Sequence, residues 1–171
     1  SLGLDVDANS TVTSLTVGHL ATPVSIADGI TLSGGIAVTG GSIKLGEAGT
    51  LGSTVSMSGG TLDADETLTV SGALSQSGNI TIDVADGKTL TYSGAAVNLG
   101  ANTMTLSGEG TFSNTNALVL NNASSKLLLS SSITVDNVST SANNSGLDVD
   151  EDSTVTSLTV AHTTPVSIAS S

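Results

Sequence analysis

Aspartates spaced two residues apart are the side chains of this 171-residue chain best suited to chemistry. They form three pairs: Asp5 with Asp7, Asp63 with Asp65, and Asp148 with Asp150. Alternate residues of a β-strand point to the same side, so each pair presents two carboxylates together. Carboxylate oxygens are the ligands that Ca²⁺ prefers. The pattern predicts a solvated acidic rim or, as the alternative, calcium held between neighbouring coils or subunits by Asp5, Asp7, Asp148 and Asp150.

The stretch Asp5–Asn9 matches the beginning of a helix–loop–helix calcium loop. That loop requires a glycine at its sixth position and a bidentate glutamate at its twelfth. Ser10 and Thr16 stand at those two positions. This kind of calcium loop is therefore excluded.

Paired carboxylates also serve the enzymes that cleave polysaccharides by acid–base chemistry. Sugar-binding clefts usually stack aromatic rings on the substrate, and polysaccharide lyases need a cationic base. The chain has no tryptophan and no arginine, and Tyr92 and Phe112 are its two aromatic residues. The two histidines, His19 and His162, have no further ligand at metal-binding spacing. The sequence therefore predicts a protein that is not an enzyme. The two histidines are interpreted as residues at the turns between strands.

Threonines two residues apart are a third recurring pattern. The pairs are Thr11/Thr13, Thr67/Thr69, Thr89/Thr91, Thr103/Thr105 and Thr154/Thr156. Regular ladders of such pairs on a flat face resemble those of ice-binding proteins. The pairs are separated by irregular intervals, which predicts that no continuous flat array forms. Ordinary β-propensity of threonine is the favoured explanation.

The net charge of −12 limits the partners of the chain. Nucleic-acid binding depends on cations that neutralise phosphates, and the cations here are Lys44, Lys88 and Lys126. The sequence also has no apolar run of the length, about 18 residues, that spans a bilayer. We therefore expect neither nucleic-acid binding nor a membrane span. Because cysteine is absent, disulfides and thiol chemistry are absent too.

The elements that position these residues are indicated by a long-range duplication. Residues Gly3–Ala27 return as Gly146–Ala169 with one deletion, and most of the aligned residues are identical. The offset between the copies is about 143 residues. The chain therefore reads as one period, residues 1–143, followed by the beginning of a repeated unit, residues 144–171.

A short pattern of apolar and hydroxyl residues ending in Ser-Gly recurs along the chain. It ends at Gly34, Gly59, Gly72, Gly94 and Gly108. Each copy has the alternation of a short strand followed by a turn, and no stretch shows helical periodicity. Small side chains suit the narrow interior of a coil, and stacked asparagine, serine and threonine can form ladders. The prediction is an all-β fold, a parallel β-solenoid without a helical cap, with a β-sandwich as the alternative.

The run from Ala85 to Gly108 resembles repeats in autotransporter passengers and in filamentous-haemagglutinin-type adhesins. The resemblance extends loosely over most of the chain. It implies a right-handed β-helix displayed outside a bacterial cell, and it brings no catalytic residues with it. The near-identical duplication departs from the pattern of a single passenger domain.

These observations predict a structural role for a single solenoid comprising residues 1–171. Because the end of the chain repeats its beginning, we expect self-association or tandem continuation through the duplicated coil. The apolar residues expected at the junction are Leu4, Val6, Val12, Leu15, Val17, Leu147, Val149, Val155, Leu158 and Val160. The expected function is an extracellular fibre or adhesin stalk on a bacterial surface. The alternatives are an adhesin module that binds a surface glycan and, less favoured, an ice-binding solenoid.

Overall fold

The computed structural model describes residues 11–18, 23–26, 31–32, 34–45, 50–143, 145–150, 152–163 and 167–169. Within these residues every assigned element is a β-strand, and the strands pair in parallel. This confirms the predicted all-β parallel β-solenoid and excludes the sandwich. No helix is present in the described ranges, so none of them could cross a membrane as a helix.

The strands are short and follow one another closely along the chain. In order they are β1 (Thr11–Val12), β2 (Leu15–Val17), β3 (Val24–Ile26), β4 (Thr31–Leu32), β5 (Ile36–Val38), β6 (Ser42–Leu45), β7 (Thr50–Leu51), β8 (Val55–Met57), β9 (Thr61–Ala64), β10 (Leu68–Val70), β11 (Leu74–Gln76), β12 (Ile80–Val84), β13 (Thr89–Tyr92), β14 (Val97–Asn98), β15 (Thr103–Ser107), β16 (Thr111–Asn114), β17 (Leu118–Leu120), β18 (Lys126–Leu129), β19 (Thr134–Thr140), β20 (Gly146–Val149), β21 (Thr154–Val160) and β22 (Ser167–Ala169).

These strands form eight stacked coils with three faces. Coils 1 to 6 each take three consecutive strands, from β1–β3 to β16–β18, while coil 7 is β19–β20 and coil 8 is β21–β22. Face 1 is the continuous sheet β3-β6-β9-β12-β15-β18-β20-β22. Face 2 contains β1-β4 and β7-β10-β13-β16, and face 3 contains β2-β5-β8-β11 and β14-β17. In coils 7 and 8 one long strand supplies both face 2 and face 3.

The length of a coil varies while the strands stay in register. The chain takes fewer residues to pass from Ile43 to Leu62, its neighbour in the stack, than from Ile82 to Leu106. The additional residues lie in the corners, because the paired strand positions are kept from coil to coil. The Ser-Gly motifs accordingly end strands on all three faces, which explains their irregular spacing in the sequence.

The core is a set of aliphatic columns that run along the solenoid axis. On face 1 one such column is Val24, Ile43, Leu62, Ile82, Leu106, Leu129 and Val149. The inward residues of coils 1 to 6 are almost all buried, and the alternate residues of each strand face water. Tyr92 and Phe112 stack within the core with their ring centroids 6.3 Å apart. Burial of one apolar residue upon another therefore links each coil to the next.

Glycine at the ends of strands permits close approach between neighbouring coils. A Cβ atom on Gly72 would lie 1.9 Å from the backbone oxygen of Ser53 in the preceding coil. Gly72 has no positive φ angle, so contact rather than unusual backbone conformation requires glycine there. At Gly108 both reasons apply, since φ is 90° and a Cβ would lie 2.0 Å from the oxygen of Val84.

A buried asparagine forms part of the predicted polar ladder. Asn114 is 1% exposed at the junction of faces 2 and 3. Its amide nitrogen donates to the backbone oxygens of Asn116 and Asn137, at 2.9 and 2.7 Å. Its side-chain oxygen accepts from the backbone nitrogen of Asn137 at 3.1 Å, and Asn137 donates back to the oxygen of Asn114 at 2.5 Å. Coils 6 and 7 are thereby joined by satisfied polar groups in the core.

The hydroxyl of Tyr92 occupies a break in face 3. It accepts a hydrogen bond from the backbone nitrogen of Leu74 at 3.0 Å and donates to the oxygen of Ala95 at 2.7 Å. In the coil before, the corresponding nitrogen of Val55 donates directly to a backbone oxygen of the next coil, that of Ala73. The phenol therefore replaces one backbone bond between coils 4 and 5 and satisfies both groups.

Replacing Tyr92 with phenylalanine tests this bridge. The ring still fits, but the Leu74 N–H and the Ala95 carbonyl lose a buried partner. We expect Tyr92→Phe to lower the free energy of unfolding by about 2 kcal/mol, measured by urea denaturation. Unchanged stability would show that the hydroxyl contributes nothing to the contact between these coils.

Candidate functional site

The two copies of the duplicated segment occupy equivalent places in the solenoid. Thr11–Val12 on face 2 corresponds to the first part of β21, and Leu15–Val17 on face 3 corresponds to its second part. The third strand of each copy, β3 or β22, lies on face 1. Coil 8 is therefore a near-copy of coil 1, located seven coils further along the axis.

Identical residues in these two coils differ in burial. Val17 pairs with Val38 of coil 2 and is 0% exposed. Its counterpart Val160 pairs with Thr140 of coil 7 and is 46% exposed. Among the described residues no strand pairs with the far side of β21. Coil 8 thus exposes an apolar residue and a strand edge. The equivalent residue and edge of coil 1 are covered by coil 2.

Among the other predicted junction residues, Leu15 and its counterpart Leu158 differ in the same direction, whereas Val12 and Val155 do not differ. Leu15 and Leu147 are buried, whereas Val12, Val149, Val155 and Leu158 are partly buried against the core. Leu4 and Val6 lie outside the described residues. The structure therefore places the described members in coils 1, 7 and 8, and their role in association stays a prediction.

Most of the charged side chains in the described ranges lie on one side of the solenoid. The described carboxylates lie on face 1 or at the corner that joins it to face 2, apart from Asp136. They are Asp63, Asp65, Glu66, Asp83, Asp86, Glu109, Asp148, Asp150 and Asp152. Lys44 pairs with Asp65, and Lys88 donates to Glu66 at 2.5 Å. The described strands of face 3 carry no charged residue.

Asp63 and Asp65 form the most strongly interacting acidic pair on face 1. Asp63 lies in register between Lys44 and Asp83 of the neighbouring coils. Burial, followed by repulsion from the Asp65 carboxylate, raises the pKa of Asp63 to about 6. The hydrogen bond with Lys44 lowers the pKa of Asp65 and raises that of Lys44. The spacing of two predicted that these carboxylates would interact; Lys44 and Asp83 became neighbours through the stacking of coils.

The calcium prediction at the other aspartates is not tested by this structure. Asp148 faces outward on β20, and Asp150 follows that strand. Asp5 and Asp7 lie outside the described residues. Within the described ranges no three His, Cys, Asp or Glu side chains form a group that could hold a metal ion. Calcium at Asp5, Asp7, Asp148 and Asp150 stays a prediction.

His162 lies in the turn that follows β21, as expected of a corner residue. Its Nε2 atom is 3.0 Å from the hydroxyl of Thr140, a buried residue of the preceding coil. His19, the equivalent residue of the first copy, lies outside the described residues.

The threonine pairs do not all belong to one face of the solenoid. Thr103 and Thr105 are on face 1, whereas three of the other pairs lie on face 2 in coils 4, 5 and 8. On face 2 the coils between those pairs supply Thr111 and Thr134 in register. The Thr-x-Thr pairs therefore form no continuous array, and the middle row ends at Asp136 in coil 7. Single threonines and serines nevertheless extend rows that the pair motif does not reveal.

The fold and these contacts define the chain as a parallel β-solenoid with stacked coils. Comparisons with protein-family models, curated proteins and solved structures found no match to the chain. The structure therefore supplies the evidence on function.

Replacing Asp63 with asparagine tests the electrostatics of face 1. A raised folded-state pKa means that the folded protein holds a proton more tightly than the unfolded chain between about pH 4 and pH 6. Stability is therefore lost as the pH rises through this window. We expect Asp63→Asn to stabilise the protein by about 1 kcal/mol at pH 7.5, after allowance for solvent screening, and to have no effect at pH 4.

Thermal unfolding at the two pH values measures this difference. Asp86→Asn removes one carboxylate from the exposed corner and serves as the control. Equal effects of the two substitutions at both pH values would contradict the assignment to Asp63.

Proposed function

We propose that this chain is a structural unit of an extracellular bacterial fibre or adhesin stalk, and that its role is not enzymatic. The unit extends by continuing its own coil stack, either in tandem along one polypeptide or by head-to-tail contact between molecules. The resemblance to adhesin repeats supports the extracellular assignment, and the β-solenoid fold is compatible with it.

The contrast between Val17 and Val160 carries this proposal. The same strand sequence is covered in coil 1 by Val38 of coil 2 and uncovered in coil 8. A following coil with the sequence of coil 2 would cover Val160 as coil 2 covers Val17. It would also pair with the free edge of β21, and edges of this kind are templates for strand addition.

The stacking geometry gives the proposed fibre a definite axial repeat. The duplicated coils are seven coils apart. At about 4.8 Å per coil, a fibre formed by tandem continuation has an axial repeat of about 34 Å. Separate molecules that stack whole would instead repeat after eight coils or more, at about 38 Å or beyond. The axial repeat therefore distinguishes the two forms of assembly.

A glycan-binding adhesin module has less support from this structure. Sugar sites usually stack pyranose rings on exposed aromatic side chains. Tyr92 and Phe112 are the two aromatic residues of the chain, and each is 1% exposed. The surface of the solenoid therefore has no ring on which a sugar could stack.

Charge introduced at the uncovered strand tests the stacking. Val160→Lys places a cation where the next coil would pack, so we expect it to abolish concentration-dependent association in sedimentation and fibres in electron microscopy. Thr159→Lys adds the same charge to the outward side of the same strand and is expected to preserve both. If the wild-type protein and Val160→Lys associate equally, coil 8 is excluded as the site of contact between molecules.

A chain in which residues 30–171 are repeated after Ser171 tests the tandem form. We expect one cooperative unfolding transition at a higher temperature than that of the single unit, because Val160 becomes buried. Two independent transitions would contradict a continuous stack.

A further inference from the structure

Face 2 carries nine hydroxyl side chains arranged as a grid on coils 4 to 6. Each coil contributes three of them, at alternate positions along a strand or directly next to its ends. They are Thr67, Thr69 and Ser71 in coil 4, Thr89, Thr91 and Ser93 in coil 5, and Thr111, Ser113 and Thr115 in coil 6. All nine are partly or fully exposed, while the residues between them point into the core. We call these nine residues the hydroxyl grid.

Backbone pairing fixes the rows of the hydroxyl grid. Thr91 pairs in register with Thr69 on one side and Ser113 on the other. Thr89 pairs with Thr111, and its backbone nitrogen donates to the hydroxyl of Thr67 at 3.2 Å. The row that begins with these three threonines continues into coils 7 and 8.

The third row follows the same pairing beyond the strand ends. The backbone nitrogen of Ser93 donates to the oxygen of Val70 at 3.0 Å. The backbone nitrogen of Thr115 donates to the oxygen of Tyr92 at 3.0 Å in the same way. Ser71, Ser93 and Thr115 therefore stack as the other two rows do.

The hydroxyl grid has a regular and rigid spacing. Neighbouring coils are about 4.8 Å apart, and alternate residues along one strand are about 6.6 Å apart. Both spacings are set by the hydrogen-bonded backbone and not by mobile loops. The array is therefore ordered before any ligand arrives, and binding to it requires little further loss of conformational entropy.

The hydroxyl grid is also free of formal charge in a chain of net charge −12. The corner between faces 1 and 2 borders the grid and is acidic, with Asp65, Glu66, Asp86 and Glu109. Of these carboxylates, Glu66 pairs with Lys88 at 2.5 Å. In coil 7 the middle row ends in Asp136, which accepts a hydrogen bond from Ser113 at 2.7 Å. An uncharged surface complements an uncharged occupant, and it has no cations with which to hold an anionic polymer.

We propose that the hydroxyl grid is an ice-binding surface. Each hydroxyl donates to or accepts from one water molecule, and the threonine methyl groups limit the positions that the water can take. Water molecules held on a rigid two-dimensional array adopt its periodicity, and oxygen atoms on the faces of ice repeat on the same length scale. The ordered water thereby joins the crystal and anchors the protein to it.

Ice binding by the hydroxyl grid is an activity separate from axial stacking. Val160 lies at the end of the solenoid on face 3, outside the hydroxyl grid. The Val160→Lys protein therefore retains the grid, and we expect it to retain ice binding whether or not it associates. With Val160→Lys, unchanged association would contradict the stacking proposal, whereas absence of ice binding in both this variant and the wild-type protein would contradict the ice-binding proposal.

Freezing experiments on the full chain test the proposal. We expect the wild-type protein to shape ice crystals, to separate the freezing and melting temperatures of ice and to slow recrystallisation. Thr91→Lys, at the centre of the hydroxyl grid, is expected to abolish all three effects. Ser93→Lys, at a fully exposed grid position that tolerates a long side chain, is expected to do the same.

The matched control introduces the same charge on the next face. Ser75 points outward on face 3 and is exposed, so Ser75→Lys leaves the grid unaltered and is expected to preserve ice binding. Circular dichroism and the melting temperature establish that each variant folds.

Several results would overturn the proposal. The first is that the folded wild-type protein has no effect on ice. The second is that Ser75→Lys loses ice binding as completely as the grid variants do. The third is that Thr91→Lys and Ser93→Lys both retain ice binding. Binding to crystalline cellulose or chitin without any ice effect would assign the hydroxyl grid to a polysaccharide surface instead.

Discussion

The stacking of one coil upon the next is the interaction on which the rest of this structure depends. Each strand forms its backbone hydrogen bonds with the strands of adjacent coils, and each buried side chain rests on the residue in register with it. A single coil cannot bury its own apolar face, so stability is gained along the axis by nearest-neighbour contacts. This is why a chain with two aromatic residues can form a continuous core from small aliphatic side chains.

Departures from regular stacking are compensated locally. Between coils 4 and 5 the hydroxyl of Tyr92 replaces a backbone partner, and between coils 6 and 7 Asn114 satisfies backbone groups in the core. Gly72 and Gly108 permit neighbouring turns to approach closely. Tyr92 and Asn114, which are unusual in an aliphatic core, thus occur where the corners change length. Backbone groups at these corners lack a partner in the next coil, and the two polar side chains supply one.

Axial stacking also separates the surface into regions of different chemistry. Alignment of outward residues places carboxylates together along one corner and on face 1, with Lys44 beside Asp65. The same alignment leaves face 2 with rows of hydroxyls and face 3 without formal charge in its described strands. The free strand at one end and the uncharged sides are different surfaces. The proposed axial stacking and the proposed ice binding therefore use different surfaces of the molecule.

The sequence by itself determined the fold class of this protein. Alternating apolar and hydroxyl residues, turns marked by Ser-Gly and the absence of helical periodicity were sufficient for an all-β parallel solenoid, because these are local properties of the chain. It also identified the duplicated segment, and the structure locates both copies at corresponding strand positions. Alignment between coils depended on the tertiary structure. Coils of unequal length put Ser113 beside Thr91 and Asp83 beside Asp63. Register of this kind is set by non-local backbone pairing and by the length of each corner, so intervals between sequence motifs could not reveal it.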